Sequence, residues 1–224
     1  MDNISLYEDI KARTGGEFYL GVVGPVRTGK STFIRRFMDL CVIPSILDPN
    51  EKKRIIDELP QAGVGKTVMT TEPKFIPKTG IEIPLSNNVK AKFRLIDCVG
   101  YIVDSAQGVY EDDKERLVKT PWFDENIPFS KAAQTGTEKV IRDHSTIGIV
   151  MTTDGSIGEF TRDDYISAEE KAIMELKKIK KPFIVIVNST FPASDFTRKI
   201  ANEISEKYEV TALPMDCENL NKED

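Results

Sequence analysis

A chain of 224 residues is long enough for one sizeable core, because a domain of this size buries roughly 70% or more of the surface its unfolded chain exposes. With 40% hydrophobic and 30% charged residues it has the composition of an ordinary globular protein, without low-complexity tracts. A net charge of −5, with Lys and Arg scattered along the chain, excludes a nucleic-acid groove, which needs concentrated positive charge to displace counterions.

Residues 4 to 12 carry Ile4, Tyr7 and Ile10 near one helical face, which predicts a short docking helix ending at Thr14-Gly15-Gly16 and makes 1–16 a first unit. Glu17 to Val23 reads as an apolar strand, followed at once by a Gly-rich turn and by helical periodicity from Thr32 to Leu40. Residues 50 to 59 read as a charged helix and Gln61 to Thr71 as a polar loop. Lys74 to Ile76 and Val89 to Ile96 read as two strands able to pair as a ribbon. From Cys98 to Pro128 no period persists, so a functional moving part or short helices are expected there.

Beyond this stretch the pattern alternates. Helix 129 to 143, strand 147 to 152, helix 167 to 178, strand 182 to 188, helix 194 to 207 and strand 209 to 214 follow in turn. Such alternation implies a three-layer α/β domain with a mostly parallel sheet, spanning 17–217, with 218–224 as a tail. The basic run Lys177, Lys178, Lys180 and Lys181 falls where a helix ends before Pro182, where positive charge complements the helix dipole.

Gly24-Pro25-Val26-Arg27-Thr28-Gly29-Lys30-Ser31 satisfies G-x-x-x-x-G-K-[ST] between a strand and a helix, the context that identifies a phosphate-binding loop. Its glycines let backbone N–H groups face phosphate oxygens at a helix N-terminus. Nucleotide contacts are therefore expected from Gly24, Val26, Arg27, Thr28, Gly29, Lys30, Ser31 and Thr32. Lys30 is expected to bridge the β and γ phosphates, and Ser31 to offer its hydroxyl to Mg²⁺, a hard cation that takes few protein oxygens beside phosphate and water. Arg27 reads either as a phosphate contact in cis or to a neighbouring subunit, or as a solvent-facing loop residue. Gly63-Val64-Gly65-Lys66-Thr67 imitates the motif, but Pro60 holds the opening position and no strand precedes it.

Asp97-Cys98-Val99-Gly100 ends a strand as D-x-x-G, so Asp97 is expected at the Mg²⁺ and the Gly100 N–H at the γ-phosphate. Of Thr67, Thr70 and Thr71, the last two are the favoured switch-loop ligands, although a Thr pair is also good strand chemistry. Metal candidates are thus Ser31, Thr71 and Asp97, and catalytic candidates Lys30, Thr70, Thr71 and Asp97. Where guanine-specific members of this class carry Asn-Lys-x-Asp, the chain has Asn188-Ser189-Thr190-Phe191. Asn188 remains a nucleotide contact, but no carboxylate accepts the guanine N–H groups, so ATP or relaxed specificity is expected. Tyr101 stands where switch GTPases often place a water-orienting Gln, which predicts slow intrinsic hydrolysis or completion by another subunit.

Cys41, Cys98 and Cys217 are odd in number and far apart, so neither a disulfide framework nor a zinc site is indicated and a reducing compartment fits. His144 is the one histidine, which argues against Ser-His-Asp and Cys-His triads; it is expected near a helix end. The opening MDNISLYEDIKARTGG lacks the basic head and apolar middle of a secretion signal. The longest apolar runs, such as Phe183 to Val187, fall far below the roughly 20 residues of a membrane-spanning helix. Membrane contact is expected to be indirect.

Several stretches together resemble one family, that of stage IV sporulation protein A. They are Leu20 to Phe37 (LGVVGPVRTGKSTFIRRF), Asp57-Glu58-Leu59-Pro60 through Gly65-Lys66-Thr67 to Met69-Thr70-Thr71-Glu72-Pro73-Lys74-Phe75, and Leu95 to Tyr101. Thr120-Pro121-Trp122, Pro128-Phe129, His144 to Gly148 and Thr152-Thr153-Asp154-Gly155 extend the likeness across nearly the whole chain. The resemblance implies a translation-factor-like GTPase fold that has lost guanine specificity and hydrolyses ATP with Mg²⁺. It also implies polymerisation of the protein with itself into the basement layer of the spore coat, at the outer forespore surface in the mother-cell cytoplasm. The partners it implies are a small amphipathic membrane-anchoring peptide and other spore coat proteins. Carried over, Lys30 matches the phosphate-loop lysine, Thr70 and Thr71 the sensor threonines and Asp97 the Mg²⁺-site aspartate. Family members are about twice as long, so the likeness is to their N-terminal ATPase domain. A nucleotide-dependent switch and a non-hydrolysing nucleotide-binding scaffold are the alternatives.

Overall fold

At the centre of the molecule is a strand with parallel neighbours on both sides, β1 (Glu17–Val23). In the computed structural model, residues 16–60, 72–86, 89–103, 106, 109–111 and 114–223 are described. The expected docking helix at 4 to 12 and the loop from Gln61 to Thr71 lie outside them.

After β1 come α1 (Lys30–Phe37), which runs on through a π turn at Met38–Val42, and α2 (Pro49–Glu58). The antiparallel pair β2 (Lys74–Ser86) and β3 (Val89–Asp97) follows. Two small ribbons, β4 (Tyr110–Glu111) with β5 (Lys114–Glu115) and β6 (Leu117–Thr120) with β7 (Phe123–Pro128), precede the remaining α/β alternation. That alternation is α3 (Phe129–Lys139), β8 (Ile147–Thr153), α4 (Arg162–Lys178), β9 (Phe183–Asn188), α5 (Asp195–Tyr208) and β10 (Ala212–Met215). The main sheet has the order β10-β9-β8-β1-β3-β2, parallel throughout except for β2. This is the expected three-layer α/β domain.

Both faces of the sheet are covered, which is why its strands read as apolar runs. Phe18, Leu20 and Val22 of β1 point to the face where Phe33 and Ile34 of α1 and Ile55 of α2 pack. Val23, Val150 and Val185 point to the other, against Phe129 of α3, Ile173 and Leu176 of α4 and Ile204 of α5.

Four expectations change. The first strand of the ribbon runs to Ser86, because a register shift between Ile76 and Ile81 absorbs Pro77 and Gly80 on an edge where a missing N–H costs little. The stretch from Cys98 to Pro128 holds the two short ribbons among its described residues and no helix. The helix expected at 167 starts at Arg162, because Thr161 and Asp164 form a capping box that satisfies orphan N–H groups. The last strand begins at Ala212 and not 209, because Glu209 closes α5 in a left-handed conformation (φ 51°). The basic run and the histidine sit as expected. Lys177 donates to the Tyr208 carbonyl at 2.6 Å and Lys181 to that of Ser145 at 2.5 Å, while His144 closes the π turn after α3, edge-on to Phe75. Beyond Cys217 the chain folds back, Arg36 donating to the Glu218 carbonyl at 2.5 Å and Leu220 packing against the α1 side of the core.

The parallel register brings the carboxyl ends of β1, β3, β8 and β9 to one edge, Val22 beside Asp97 and Thr153 beside Asn188. Chain direction across the sheet reverses at β1, the place where open α/β sheets bind ligands. A buried ion pair fixes α4 to this edge: Arg162 forks onto Glu169 with distances of 2.5 and 3.0 Å and reaches the Thr152 hydroxyl at 3.0 Å. Glu169→Ala strands that guanidinium and is expected to cost about 3 kcal/mol, read as a lower urea midpoint. A loss under about 1 kcal/mol, the value of an exposed pair, would contradict the buried role.

Candidate functional site

The loop leaves β1 at Gly24 and enters α1 at Lys30, the Phe33 N–H donating to the Gly29 carbonyl at 2.9 Å. Gly29 has φ 84°, and a Cβ there would stand 2.3 Å from Asn188 Nδ2. Glycine is required by both conformation and space. Thr28 ties the loop to itself, its hydroxyl donating to the Pro25 carbonyl at 3.0 Å. Lys30 donates to that same carbonyl and is buried. Its pKa is lowered by burial, with Cys98 and Asp97 acting the other way.

Asp97 lies across from the loop at the end of β3, and Ser31 Oγ donates to its Oδ2 at 2.8 Å. Burial raises the Asp97 pKa, while the Ser31 hydrogen bond and the Lys30 charge pull it down. Its Oδ1 is buried and has no hydrogen-bond partner among the described residues. An orphaned carboxylate oxygen beside a serine hydroxyl is a donor set that a hard divalent cation satisfies, so the residues present fit Mg²⁺. Among the described residues no group of three His, Cys, Asp or Glu side chains could hold a metal by itself. A cation at Ser31 and Asp97 would depend on phosphate and water for its remaining ligands.

The D-x-x-G segment is stitched directly to the loop. The Tyr101 N–H donates to the Gly24 carbonyl at 3.0 Å and the Val26 N–H to the Tyr101 carbonyl at 2.9 Å. Between them Gly100 has φ 96°, and a Cβ would lie 2.2 Å from the Gly24 carbonyl oxygen and 2.6 Å from Lys30 Nζ. Only glycine lets the sensor strand pass this close to the lysine. Cys98, whose thiol burial pushes up to about 11, donates weakly to the Val22 carbonyl at 3.4 Å and stays inert.

The comparisons agree with this geometry. The family model for the ATPase domain of stage IV sporulation protein A matches residues 1–224. This chain belongs to that family. Stage IV sporulation protein A of Clostridioides difficile (strain 630) is 54% identical over 222 residues, covering 99% of this chain and 45% of the relative. Those of Bacillus subtilis (strain 168) and Bacillus anthracis are 49% and 48% identical over 224 residues, covering all of this chain and 46% of each relative. The chain therefore spans about half the length of the curated relatives it matches.

Within this stage IV sporulation protein A domain, Lys30, Ser31, Asp97 and Gly100 come together as expected, with Gly24 and Gly29 turning the loop and Thr32 in the first turn of α1. Thr67, Thr70 and Thr71 lie outside the described residues. Two residues assigned to the nucleotide have partners inside the protein. The Val26 N–H is taken by Tyr101, and its side chain is buried. Asn188 donates from Nδ2 to the Thr28 carbonyl at 3.1 Å and accepts at Oδ1 from the Cys217 N–H at 3.1 Å. It acts as a strut between the loop and the end of β10.

A cluster invisible to motif reading stands next to it. Asp154, at the end of β8, accepts at Oδ2 from Ser189 Oγ and Thr197 Oγ1, each at 2.6 Å, and at Oδ1 from the Ser156 N–H at 2.9 Å. Burial pushes the Asp154 pKa up, but the hydrogen bonds from Ser156, Ser189 and Thr197 outweigh it and hold it below the usual range. Ser189 occupies the position where a guanine site has its lysine. The sequence signal was an Asp-Gly ending a parallel strand, Thr153-Asp154-Gly155. Asp154 and Gly155 also line a cleft of about 550 Å³ shared with Arg162, Ile166 and Phe196, and the phosphate loop lies outside its walls.

Asn188→Asp sets a carboxylate oxygen against the Thr28 carbonyl. It is expected to lower stability by about 1–3 kcal/mol, the cost of an unmade buried hydrogen bond, and to weaken ATP and GTP binding by the same factor. A changed ratio of the two affinities by calorimetry would mean that Asn188 reads the base.

Proposed function

We propose that this chain is the nucleotide-hydrolysing domain of a sporulation protein. It binds ATP with Mg²⁺, hydrolyses it to ADP and phosphate, and couples turnover to self-assembly into the basement layer of the spore coat. The place of action is the mother-cell side of the forespore surface, with a small amphipathic membrane-anchoring peptide and other coat proteins as partners. Family membership supports the biological setting. The single structural observation that carries the chemistry is the Ser31–Asp97 pair at 2.8 Å with Asp97 Oδ1 left free, set against a phosphate loop.

In this mechanism the loop amides and Lys30, which exchanges the Pro25 carbonyl for phosphate oxygens, bind the β and γ phosphates and offset their charge. Ser31 and Asp97 would hold Mg²⁺, which supplies further neutralisation of phosphate charge when bound. Thr70 and Thr71 join from the switch loop, and the Gly100 N–H faces the γ-phosphate. Nearby Phe191, 71% exposed, stands where a guanine site has its carboxylate, which favours ATP. A second reading, a nucleotide-dependent switch, is supported by the Tyr101 stitch, because contacts of the γ-phosphate with the sensor segment commonly order or release such segments.

Lys30→Ala is expected to reduce phosphate release from ATP by at least about 100-fold, the scale of losing one preorganised charge-stabilising group, and to abolish assembly measured by sedimentation. ATP should be turned over faster than GTP by the unaltered protein. Turnover by the Lys30→Ala protein comparable with the unaltered one would refute the assigned site.

A further inference from the structure

Arg27 sits in the phosphate loop in a left-handed backbone conformation, φ 65°. A residue with a Cβ is strained there and glycine is not. Other left-handed positions of this loop, Gly24 and Gly29, are glycines, whereas Arg27 keeps the longest cationic side chain in that setting. Its guanidinium is not at rest in a good site either. Nη2 is buried and has no hydrogen-bond partner among the described residues.

Burial, followed by the Asp164 charge, pushes the Tyr165 phenol up to about 12, with the Arg27 charge acting the other way. Tyr165 belongs to the first turns of α4, packs edge-on to Phe160 with ring centroids 6.0 Å apart, and its own hydroxyl also has no hydrogen-bond partner. A strained backbone and an unmet buried donor are both unfavourable, and neither is explained by what the side chain does in this position. Both are accounted for if the guanidinium has a second position on an anion.

We propose that Arg27 is the transition-state charge donor of this site, supplied in cis. Its guanidinium turns from its unpaired position onto the oxygens of the transferring phosphoryl group. The proposal rests on the ATP reading above. In hydrolysis, water attacks the γ-phosphorus, the bond to the β–γ bridging oxygen breaks, and the electron pair stays on the departing ADP. The proton of the water ends on the released phosphate. Arg27 gains and loses no proton; it offsets the charge that grows on the bridging and equatorial oxygens, which its planar fork can span two at a time. Lys30 is a point charge held against the Pro25 carbonyl and cannot cover them all.

The test compares the unaltered protein, Arg27→Gly and Arg27→Lys by calorimetry, with Mg²⁺ and ADP alone and with Mg²⁺, ADP and aluminium fluoride, a mimic of the transferring phosphoryl group. Arg27→Gly is expected to lose at most about threefold in ADP affinity but about 100-fold or more of the tightening that fluoride gives, on the order of the lower end of arginine-finger effects. Arg27→Lys recovers little of it, because an ammonium cannot fork. Thermal unfolding separates this from a packing role: Arg27→Gly should melt at or above the unaltered protein, since glycine relieves the strain. Equal fluoride tightening in the two proteins overturns this inference alone. So does a glycine variant that melts lower and loses ADP and fluoride-complex affinity by the same factor. No nucleotide binding by the unaltered protein in either arm overturns the ATP reading together with it.

Discussion

Asp97 is the constraint around which the rest is arranged. A carboxylate at the end of a central strand, inside a covered sheet, is expensive to bury unless its oxygens are answered. One is answered by Ser31 at 2.8 Å, a residue whose position is set by the loop and by the start of α1. The other has no hydrogen-bond partner among the described residues. The parallel pairing of Val22 with Asp97 places that free oxygen at the mouth of the loop. Burial lowers the Lys30 pKa and raises that of Asp97, so each charge is unfavourable where it sits. A phosphate with its cation, the ligand proposed for this site, would answer both charges.

The opposite flank of the loop is built from the reverse logic. Asn188, Asp154, Ser189 and Thr197 satisfy one another and the backbone, with hydroxyl-to-carboxylate distances of 2.6 Å. Buried polar networks of this kind are rigid when complete. The replacement of a lysine by Ser189 thus does two things. It removes a side chain that a guanine site uses, and it supplies a hydroxyl short enough to close the network with Asp154. The absence of a guanine-site lysine and the closed network with Asp154 thus meet at one position.

How much of this the sequence revealed depends on how local each feature is. The strand, loop and helix around Gly24 to Ser31 were legible because spacing, periodicity and turn chemistry act within a dozen residues, and the alternation after Phe129 was legible for the same reason. β2 was cut short because Pro77 and Gly80 are ordinarily breakers, and only an edge position with a register shift tolerates them. The ribbons at 110 to 128 are two to six residues per strand, too short for a period to emerge. The Asp154 network joins residues 35 and 43 positions apart, and Asn188 reaches the loop across 160. No spacing rule links residues at such separations, so the strut that Asn188 makes between the loop and the end of β10 was not legible.

The two flanks also differ in the kind of bond that holds them to the loop. On the Asn188 side the link is one side-chain hydrogen bond, from Nδ2 to the Thr28 carbonyl at 3.1 Å, with the amide oxygen held by the Cys217 N–H at 3.1 Å. On the Asp97 side the links beyond Ser31 are two backbone hydrogen bonds, from the Tyr101 N–H to Gly24 and from the Val26 N–H to Tyr101. Backbone donors of that kind are what a phosphate accepts from. Exchanging the Tyr101 carbonyl for a phosphate oxygen keeps the Val26 N–H satisfied, so the net change is a difference between two similar bonds, small compared with breaking either outright. Gly100, with no side chain to collide with Lys30, lies in the segment that would move. The Asn188 side thus holds the loop through a side chain, and the Tyr101 side through backbone bonds of the kind a phosphate also accepts.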